Sequence, residues 1–283
     1  MAKFTVLGMG GFGLALAVML DNNGHSVNVW SAFESEIEDI KRDGENKKKL
    51  PGVKIKDSIT LTSDISTVSD SDVVIFGVPT GFVRSVAKQA APFITENTVI
   101  LNTSKGLEDK TFKRMSEVLH EELPNSPIVI LTGPSHAEEV GIGMPTTVVV
   151  ASDNSKYSDY IQSIMSNIAL RIYINDDVVG SELGGSLKNI IALCAGICDG
   201  MGFGDNTKAA LMTRGITEIA RLGVKMGGKR DTFVGLSGIG DLIVTCTSMH
   251  SRNRRAGILI GQGVSPDEAV KQSGTVEGYT CTK

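Results

Sequence analysis

The chain has 283 residues, 41% of them hydrophobic and 21% charged, which supplies apolar material for one large or two ordinary globular domains. Its 28 Lys and Arg against 32 Asp and Glu leave a net charge of −4, which argues against any general affinity for nucleic acid or an anionic membrane. No apolar run reaches the roughly 18 residues of a membrane span, and the opening "MAKFTVLG" reads as the start of a strand, so a cytoplasmic location is expected.

From "FTVLG" at 4–8 to "LRIYIN" at 170–175, short β-rich runs alternate with helix-like segments. The runs include "SVNVW", "DVVIFGVP", "TVILNTS", "IVILTGP" and "TTVVVAS". This alternation predicts a mostly parallel sheet with helices on both faces, an α/β Rossmann-type dinucleotide-binding domain over residues 1–178. The first strand leads directly into "GMGGFG", with Gly8, Gly10 and Gly13 in the G-x-G-x-x-G pattern, and then into an apolar helix. The first glycine permits the tight turn, the second lets the backbone approach a pyrophosphate, and the third lets helix pack on strand. The helix N-terminus adds free N–H groups and partial positive charge.

The second strand should end in an acid that reads the ribose 2′-hydroxyl of NAD, or in a basic residue for the 2′-phosphate of NADP. It ends in "WSAFE": Ser31 can donate to a phosphate, Ala32 reads nothing, and Glu34 falls at the start of the next helix, so the choice between NAD and NADP stays open. "GVPTGFV" at 77–83 suits either a second cofactor-side loop or a plain Pro turn. Further polar residues stand where strands end: Lys105 in "LNTSKGL", and Gly133, Ser135 and Ala137 in "LTGPSHAEEV". His136 in the same stretch reads as a capping or surface residue.

After about residue 178 the strand runs stop, and residues 179–283 read as a helical domain. Leu187, Ile190, Ile191, Cys194, Ile197 and Met201 recur at helical spacing, and a second helix is predicted over about 206–226, broken near Gly215 and Gly223. Within "SELGGSLKNIIALCAG", Lys188 has small neighbours at Gly184, Ala192 and Ala195. Either its ammonium points into a cleft, where burial would tune it for acid–base work, or its stem packs while its charge snorkels to water. "GIGDLIVTCTSMHSRNRR" then gathers Asp241, Thr245, Ser251, Arg252, Asn253, Arg254 and Arg255 in one phosphate-suited stretch. Cys194, Cys198, Cys246 and Cys281 fit reduced thiols, and no Cys or His spacing suggests a metal.

Taken in order, "GMGGFG", "NTSKGL", "LTGPSHAEEV", "LGGSLKNIIALCAGICDGMGFGDNTKAALMTRGITEIARLG", "GIGDLIVTCTSMHSRNRR" and "VEGY" resemble the bacterial-type NAD(P)-dependent glycerol-3-phosphate dehydrogenases along essentially the whole chain. The resemblance implies a Rossmann domain followed by an all-α substrate domain. It also implies reversible reduction of dihydroxyacetone phosphate to sn-glycerol 3-phosphate with NAD or NADP, feeding glycerophospholipid synthesis. By the same resemblance Lys188 matches the proton donor and acceptor, Lys105 a second active-site lysine, and Asp241 a residue that orients the lysine or a substrate hydroxyl. Gly133, Ser135, Asn189, Thr245, Ser251, Arg252 and Asn253 match the remaining substrate set. Gly8, Gly10, Gly11, Phe12, Gly13, Lys105, Ala137, Arg252 and Glu277 match the cofactor set.

Three departures stand out. Gly11 replaces a frequent hydroxyl residue while Phe12 keeps the aromatic beside it, Ala32 replaces a frequent Arg or His, and the sequence stops at Lys283, where family members continue with further helices. A homodimer is compatible with the resemblance, and the expected partner is the small-molecule substrate. Two rivals share some of these features. Ketopantoate-type reductases and related β-hydroxyacid dehydrogenases place lysine and asparagine about a turn apart, whereas Lys188 and Asn189 are adjacent. A cofactor-binding sensor would need neither converging lysines nor a phosphate loop.

Overall fold

The computed structural model describes residues 1–282. Two compact units make up the chain. The first comprises Met1–Ser104, Met115–Leu131 and Ser135–Asp176; the second comprises Asp177 onward together with Lys105–Arg114 and Thr132–Pro134.

The sheet of the first unit alternates strand and helix: β1 (Lys3–Leu7), α1 (Gly11–Asn22), β2 (Ser26–Trp30), α2 (Glu34–Asp43), β3 (Thr60–Thr62), β4 (Val73–Phe76), α3 (Thr80–Ala90) and β5 (Val99–Asn102). It continues with α4 (Met115–Glu122), β6 (Ile128–Thr132), α5 (Ala137–Gly141), β7 (Thr146–Ala151), α6 (Ser155–Met165) and β8 (Leu170–Asn175). The eight strands lie in the order β3-β2-β1-β4-β5-β6-β7-β8. The β3–β2, β2–β1, β1–β4, β4–β5, β5–β6 and β7–β8 pairs are parallel. Strands β4, β5 and β6 are buried along their whole length, which is why they read as unbroken apolar runs instead of alternating ones. Strand order reverses between β1 and β4, the switch point at which open α/β sheets present their ligand crevice.

The second unit is built around α7 (Val178–Gly200), followed by α8 (Asp205–Lys225), α9 (Arg230–Phe233), a π-turn at Leu236–Gly240, α10 (Asp241–Thr247), α11 (Arg252–Gly261), α12 (Pro266–Ser273) and α13 (Glu277–Thr280). Asp177 starts α7: its carboxylate accepts from the Gly180 N–H at 2.8 Å, the Lys229 N–H at 2.7 Å and the Thr232 hydroxyl at 2.6 Å. Helix α7 is apolar on several faces because it packs on several sides. Leu183 meets Ile219 and Phe233, Ala192 and Ala195 meet Leu242 and Cys246, and Leu193 meets Ala256 and Val276. Helix α11 approaches α7 through paired glycines, and a Cβ on Gly196 or Gly200 would come 2.9 Å from the Cα of Gly257 or Gly261 respectively.

Helix α8 runs without a break through Gly215 and Gly223, contrary to the expectation from sequence. Those glycines instead give room to neighbours, since the Ile191 side chain fills the space beside Gly215 and the Phe233 ring that beside Gly223. Among the described residues no single helix is long and apolar enough to cross a membrane.

Candidate active site

In the first unit, the G-x-G-x-x-G turn links the end of β1 to α1. Gly8 holds φ at +114°, a conformation that penalises any side chain, and its N–H donates to Trp30 O at 2.9 Å. A Cβ on Gly13 would sit 2.7 Å from Gly8 O, whereas one on Gly10 would meet only Gly77 O at 3.5 Å. The turn is therefore tight on its inner side and open at Gly10. No side chain caps α1 and no acid occupies its first turn, so its N–H groups and positive dipole end are suited to an anion. Ala137, at the start of α5, completes the cradle: a Cβ on Gly11 would lie 3.4 Å from that of Ala137 and would collide with Lys49 O. The hydroxyl residue frequent at this position in the resembling family would collide with Lys49 O on this backbone, which accounts for Gly11. Phe12 packs, partly buried, against the apolar core. These residues fit a dinucleotide pyrophosphate. Ser135 is half-buried in the same unit.

Beyond β2 the side chains already have partners. The Ser31 hydroxyl donates to Glu36 at 2.8 Å and accepts from the Phe33 N–H at 3.1 Å, and Lys49 pairs with the other Glu36 oxygen. Glu34 begins α2. Sequence reading passed over Glu36 and Lys49 because neither lies at the strand end; only the fold brings them there.

The second unit gathers Lys105, Gly133, Lys188, Asp241 and Thr245. Lys188, on α7, is 4% exposed and Asp241, at the start of α10, only 1%. Lys188 is therefore buried and paired, and its charge does not snorkel to water. The room comes from elsewhere than expected, because the backbone of Ser237 occupies the space beside Gly184. The Lys188 ammonium donates to Asp241 Oδ1 and, at 2.8 Å, to Thr245 Oγ1. Lys105 donates to Asp241 Oδ2 at 2.8 Å and to Gly133 O at 2.9 Å. Thr245, one turn after Asp241 on α10, donates back to Asp241 O at 2.6 Å. Gly185 belongs to this arrangement as well, since a Cβ there would lie 3.8 Å from the Lys105 stem and 2.8 Å from Thr132 Oγ1. Only the packing of Lys105 on α7 distinguishes it from the other glycines of that helix.

Two cations thus share one carboxylate, which leaves a net positive charge among largely buried groups. Burial lowers the Lys188 pKa from 10.5 to about 8; Asp241 opposes that fall, Lys105 adds to it, and Glu277 opposes it more weakly. Burial pushes Asp241 upward, but the charges of Lys105 and Lys188 outweigh it and hold the carboxyl below its ordinary value.

The "SRNRR" segment opens α11. Ser251 caps the helix by accepting from the Arg254 N–H at 3.2 Å. Asn253 is buried, donates to Asn189 Oδ1 at 3.1 Å and accepts from the Gly278 N–H at 2.8 Å, which ties α11 to α7 and α13. Arg252 is about half exposed and donates to Glu277 at 3.1 Å. The other two arginines depart from the expected phosphate cluster. Arg254 is held by Asp199 at 2.8 Å and Thr247 O at 2.6 Å, and Arg255 reaches Met249 O at 3.4 Å. Asp199 also pairs with Lys208 at 2.6 Å, so this charge is committed to packing. Cys194 and Cys198 are half-buried, more exposed than small core residues would be; Cys246 is buried and its thiol is pushed up to about 12 by desolvation.

Residues 3–158 match the family model described as NAD-dependent glycerol-3-phosphate dehydrogenase N-terminus, and residues 177–283 match that family's C-terminus. The chain is 50% identical over 287 residues to glycerol-3-phosphate dehydrogenase [NAD(P)+] of Fusobacterium nucleatum, covering 100% of this chain and 86% of that protein. It is 51% identical over 288 residues to the protein of the same name from Bacillus subtilis, covering 100% of this chain and 84% of the relative. The crystal structure of glycerol-3-phosphate dehydrogenase from Coxiella burnetii superposes with a TM-score of 0.95 at 36% identity, covering 99% of this chain and 87% of that one. A ketopantoate reductase from Ralstonia eutropha, at 15% identity and a TM-score of 0.55, shares the fold alone.

Proposed function

The chain belongs to the NAD-dependent glycerol-3-phosphate dehydrogenase family, and from that premise we propose that it reversibly reduces dihydroxyacetone phosphate to sn-glycerol 3-phosphate with NADH or NADPH, supplying glycerophospholipid synthesis. The observation that carries this reading is the Lys188–Asp241–Lys105 cluster, with two buried or half-buried ammonium groups on one ionised carboxylate.

Reduction of a ketone at C2 places negative charge on the carbonyl oxygen, and a fixed cation in a desolvated pocket stabilises that charge without reorganising. When bound, the nicotinamide ring supplies the hydride to C2 or accepts it from C2. Lys188 carries the proton: protonated, it stabilises the alkoxide and completes the alcohol; neutral, it removes the hydroxyl proton in the reverse direction. Asp241 keeps the Lys188 ammonium aimed and offsets one of the two positive charges, while Lys105 contributes the second. Thr245 fixes the rotamer through its own bond to the α10 backbone. Arg252 offers a planar fork to the substrate phosphate, with Ser251, Asn253 and Asn189 around it. Gly133 and Ser135 complete the substrate set, and residues 8–13 with Ala137 hold the pyrophosphate, joined in the cofactor set by Lys105, Arg252 and Glu277. The same reading divides the chain into a cofactor domain over 1–178 and a substrate domain over 179–283. It places the enzyme in the cytoplasm, with a small molecule as its partner, and is compatible with a homodimer.

Steady-state assays with NADH and NADPH against dihydroxyacetone phosphate, ketopantoate and a panel of 2-ketoacids test the proposal. Dihydroxyacetone phosphate should be preferred by orders of magnitude. Turnover of ketopantoate instead, or cofactor binding with no turnover, would reject it in favour of the related reductases or a sensor.

A further inference from the structure

Lys105 lies at the start of the Lys105–Arg114 segment, which belongs to the helical unit although the sequence on either side belongs to the sheet unit. The segment folds back on itself: Leu107 and Arg114 form an antiparallel bridge, Glu108 N–H donates to Lys113 O at 2.9 Å, and Phe112 N–H donates to Glu108 O at 2.9 Å. Its tip is strained, because Lys110 and Phe112 hold φ at 67° and 56°, a left-handed conformation costly for residues with side chains. Such a loop keeps its shape only where its surroundings fix it. Leu107 packs beside Leu183, Ile219 and Phe233. At the far end, Arg114 donates to Glu182 at 2.8 Å, and the two side chains are only 16% and 4% exposed.

A buried ion pair is a poor device for stability, since desolvation cancels much of the attraction and an apolar pair of similar volume would serve as well. What it supplies is direction. Glu182, Gly185 and Lys188 occupy consecutive turns of α7. Glu182 anchors the end of the loop, Gly185 admits the Lys105 stem, and Lys188 shares Asp241 with the Lys105 ammonium.

We propose that the Arg114–Glu182 pair positions Lys105: it closes the loop onto α7 and thereby holds the Lys105 ammonium against Asp241. The inference rests on the dehydrogenase reading of the lysine cluster. Neither Arg114 nor Glu182 touches the reacting atoms, so their effect passes through Lys105. That effect has a signature. The charged groups that act on Lys188 are Asp241 from α10, Lys105 from the loop and Glu277 from α13, with the buried Cys246 thiol nearby, and of the charged three only Lys105 disfavours the ammonium form. Withdrawing Lys105 therefore lets Lys188 hold its proton to higher pH.

The test is the pH profile of kcat/KM for dihydroxyacetone phosphate reduction, measured on the full chain. It compares wild type, Lys105→Ala, Glu182→Gln, Arg114→Lys and the Lys105→Ala/Glu182→Gln double variant, with thermal melts to confirm folding. Glu182→Gln should lower kcat/KM by about tenfold to a hundredfold, as a displacement near 1 Å at a catalytic group does. It should also move the alkaline limb upward in the same direction as Lys105→Ala. In the double variant the limb should move no further than with Lys105→Ala alone, and Arg114→Lys, which keeps a cation opposite Glu182, should retain more of the wild-type profile than Glu182→Gln does. If Glu182→Gln does not fold, Arg114→Met together with Glu182→Met removes both charges without burying a lone one, and the limb should still shift. An unmoved limb in folded Glu182→Gln or in the Met pair, or shifts that add in the double variant, would overturn the positioning role while leaving the dehydrogenase reading intact. A wild-type chain inert toward dihydroxyacetone phosphate would sink both.

Discussion

Replacing Lys188 with Ala removes a buried ammonium from a pocket in which it is the more deeply placed of two cations. Two separate contributions are lost. Loss of one preorganised donor to a developing oxyanion costs about 2.7–4 kcal/mol, and loss of a positioned acid costs roughly 10²–10⁴ in rate. Because both contributions reside in one side chain they overlap, and the expected fall in kcat is roughly 10² or more, not their product. The fold should tolerate the change. The drop of the Lys188 pKa from 10.5 to about 8 corresponds to about 3 kcal/mol held against its charged form, so deleting the group also deletes a desolvation cost. Asp241 keeps Lys105, and it is not left alone. Cofactor affinity should stay near normal, because the glycine turn lies elsewhere in the sequence and Lys188 is not part of it. The assay pairs steady-state oxidation of NADH in the presence of dihydroxyacetone phosphate with NADH binding followed by fluorescence. A Lys188→Ala protein that keeps more than about half the wild-type kcat would refute the proton-transfer role, and one that loses NADH affinity in step with kcat would show that the lysine serves the cofactor instead.

On the proposed mechanism reduction needs Lys188 protonated and oxidation needs it neutral. With its pKa lowered to about 8, kcat/KM for dihydroxyacetone phosphate should decline above about pH 8, while that for glycerol 3-phosphate should rise through the same pH; parallel limbs in both directions would argue against a single shared proton. The same shift sets a stability trend: from about pH 8 to 10.5 the unfolded chain binds the extra proton, so the Lys188 contribution to folding stability should rise with pH across that window, measurable as a difference in denaturant midpoint between wild type and Lys188→Met. Cofactor discrimination should lie within about tenfold, or 1.4 kcal/mol, because Ala32 carries no charge and Glu36 occupies both Ser31 and Lys49. Glu36→Gln should weaken that hold and move the NADPH/NADH ratio of kcat/KM toward NADPH; a ratio that moves toward NADH would mean that Glu36 does not oppose the 2′-phosphate. Arg252→Ala should lower kcat/KM for dihydroxyacetone phosphate by roughly a hundredfold, about 3 kcal/mol, mostly through KM, while the slow turnover of unphosphorylated dihydroxyacetone hardly changes; equal damage to both substrates would dismiss the phosphate clamp.

The architecture was readable because its causes are local. A strand, three glycines and an apolar helix announce the nucleotide turn, and the unbroken apolar runs of β4, β5 and β6 announce strands covered on both faces. Lys188 was legible as an anomaly, a cation within an apolar helix, but local pattern did not give its partner: Asp241 lies 53 residues away, nothing in either segment encodes the pairing, and only the family resemblance singled Asp241 out as a residue to orient the lysine or a substrate hydroxyl. The α8 glycines show the opposite failure. Local propensity reads glycine in a helix as a weak point, whereas the Phe233 ring and the Ile191 side chain, delivered by tertiary packing, turn each into a socket. The basic knot at 251–255 misled for the same reason. Sequence places three arginines together, and only the fold separates the one paired with Glu277 from the one locked to Asp199.

That separation bears on how the site balances charge. If all three arginines faced the substrate, the pocket would carry five cations with Lys105 and Lys188 against Asp241 and Glu277, and an anionic product would leave slowly. With Arg254 neutralised by Asp199 and Arg255 turned to a backbone carbonyl, the set reduces to Arg252, Lys105 and Lys188 against Asp241 and Glu277. On the proposed reading each carboxylate orients a cation that also serves the substrate: Glu277 would hold the Arg252 fork for the phosphate, and Asp241 would hold the two ammonium groups for the carbonyl. The net charge that remains is about one positive unit, the sign required to draw in a phosphorylated ketone and small enough, in a pocket screened by its own acids, to let the phosphorylated alcohol go.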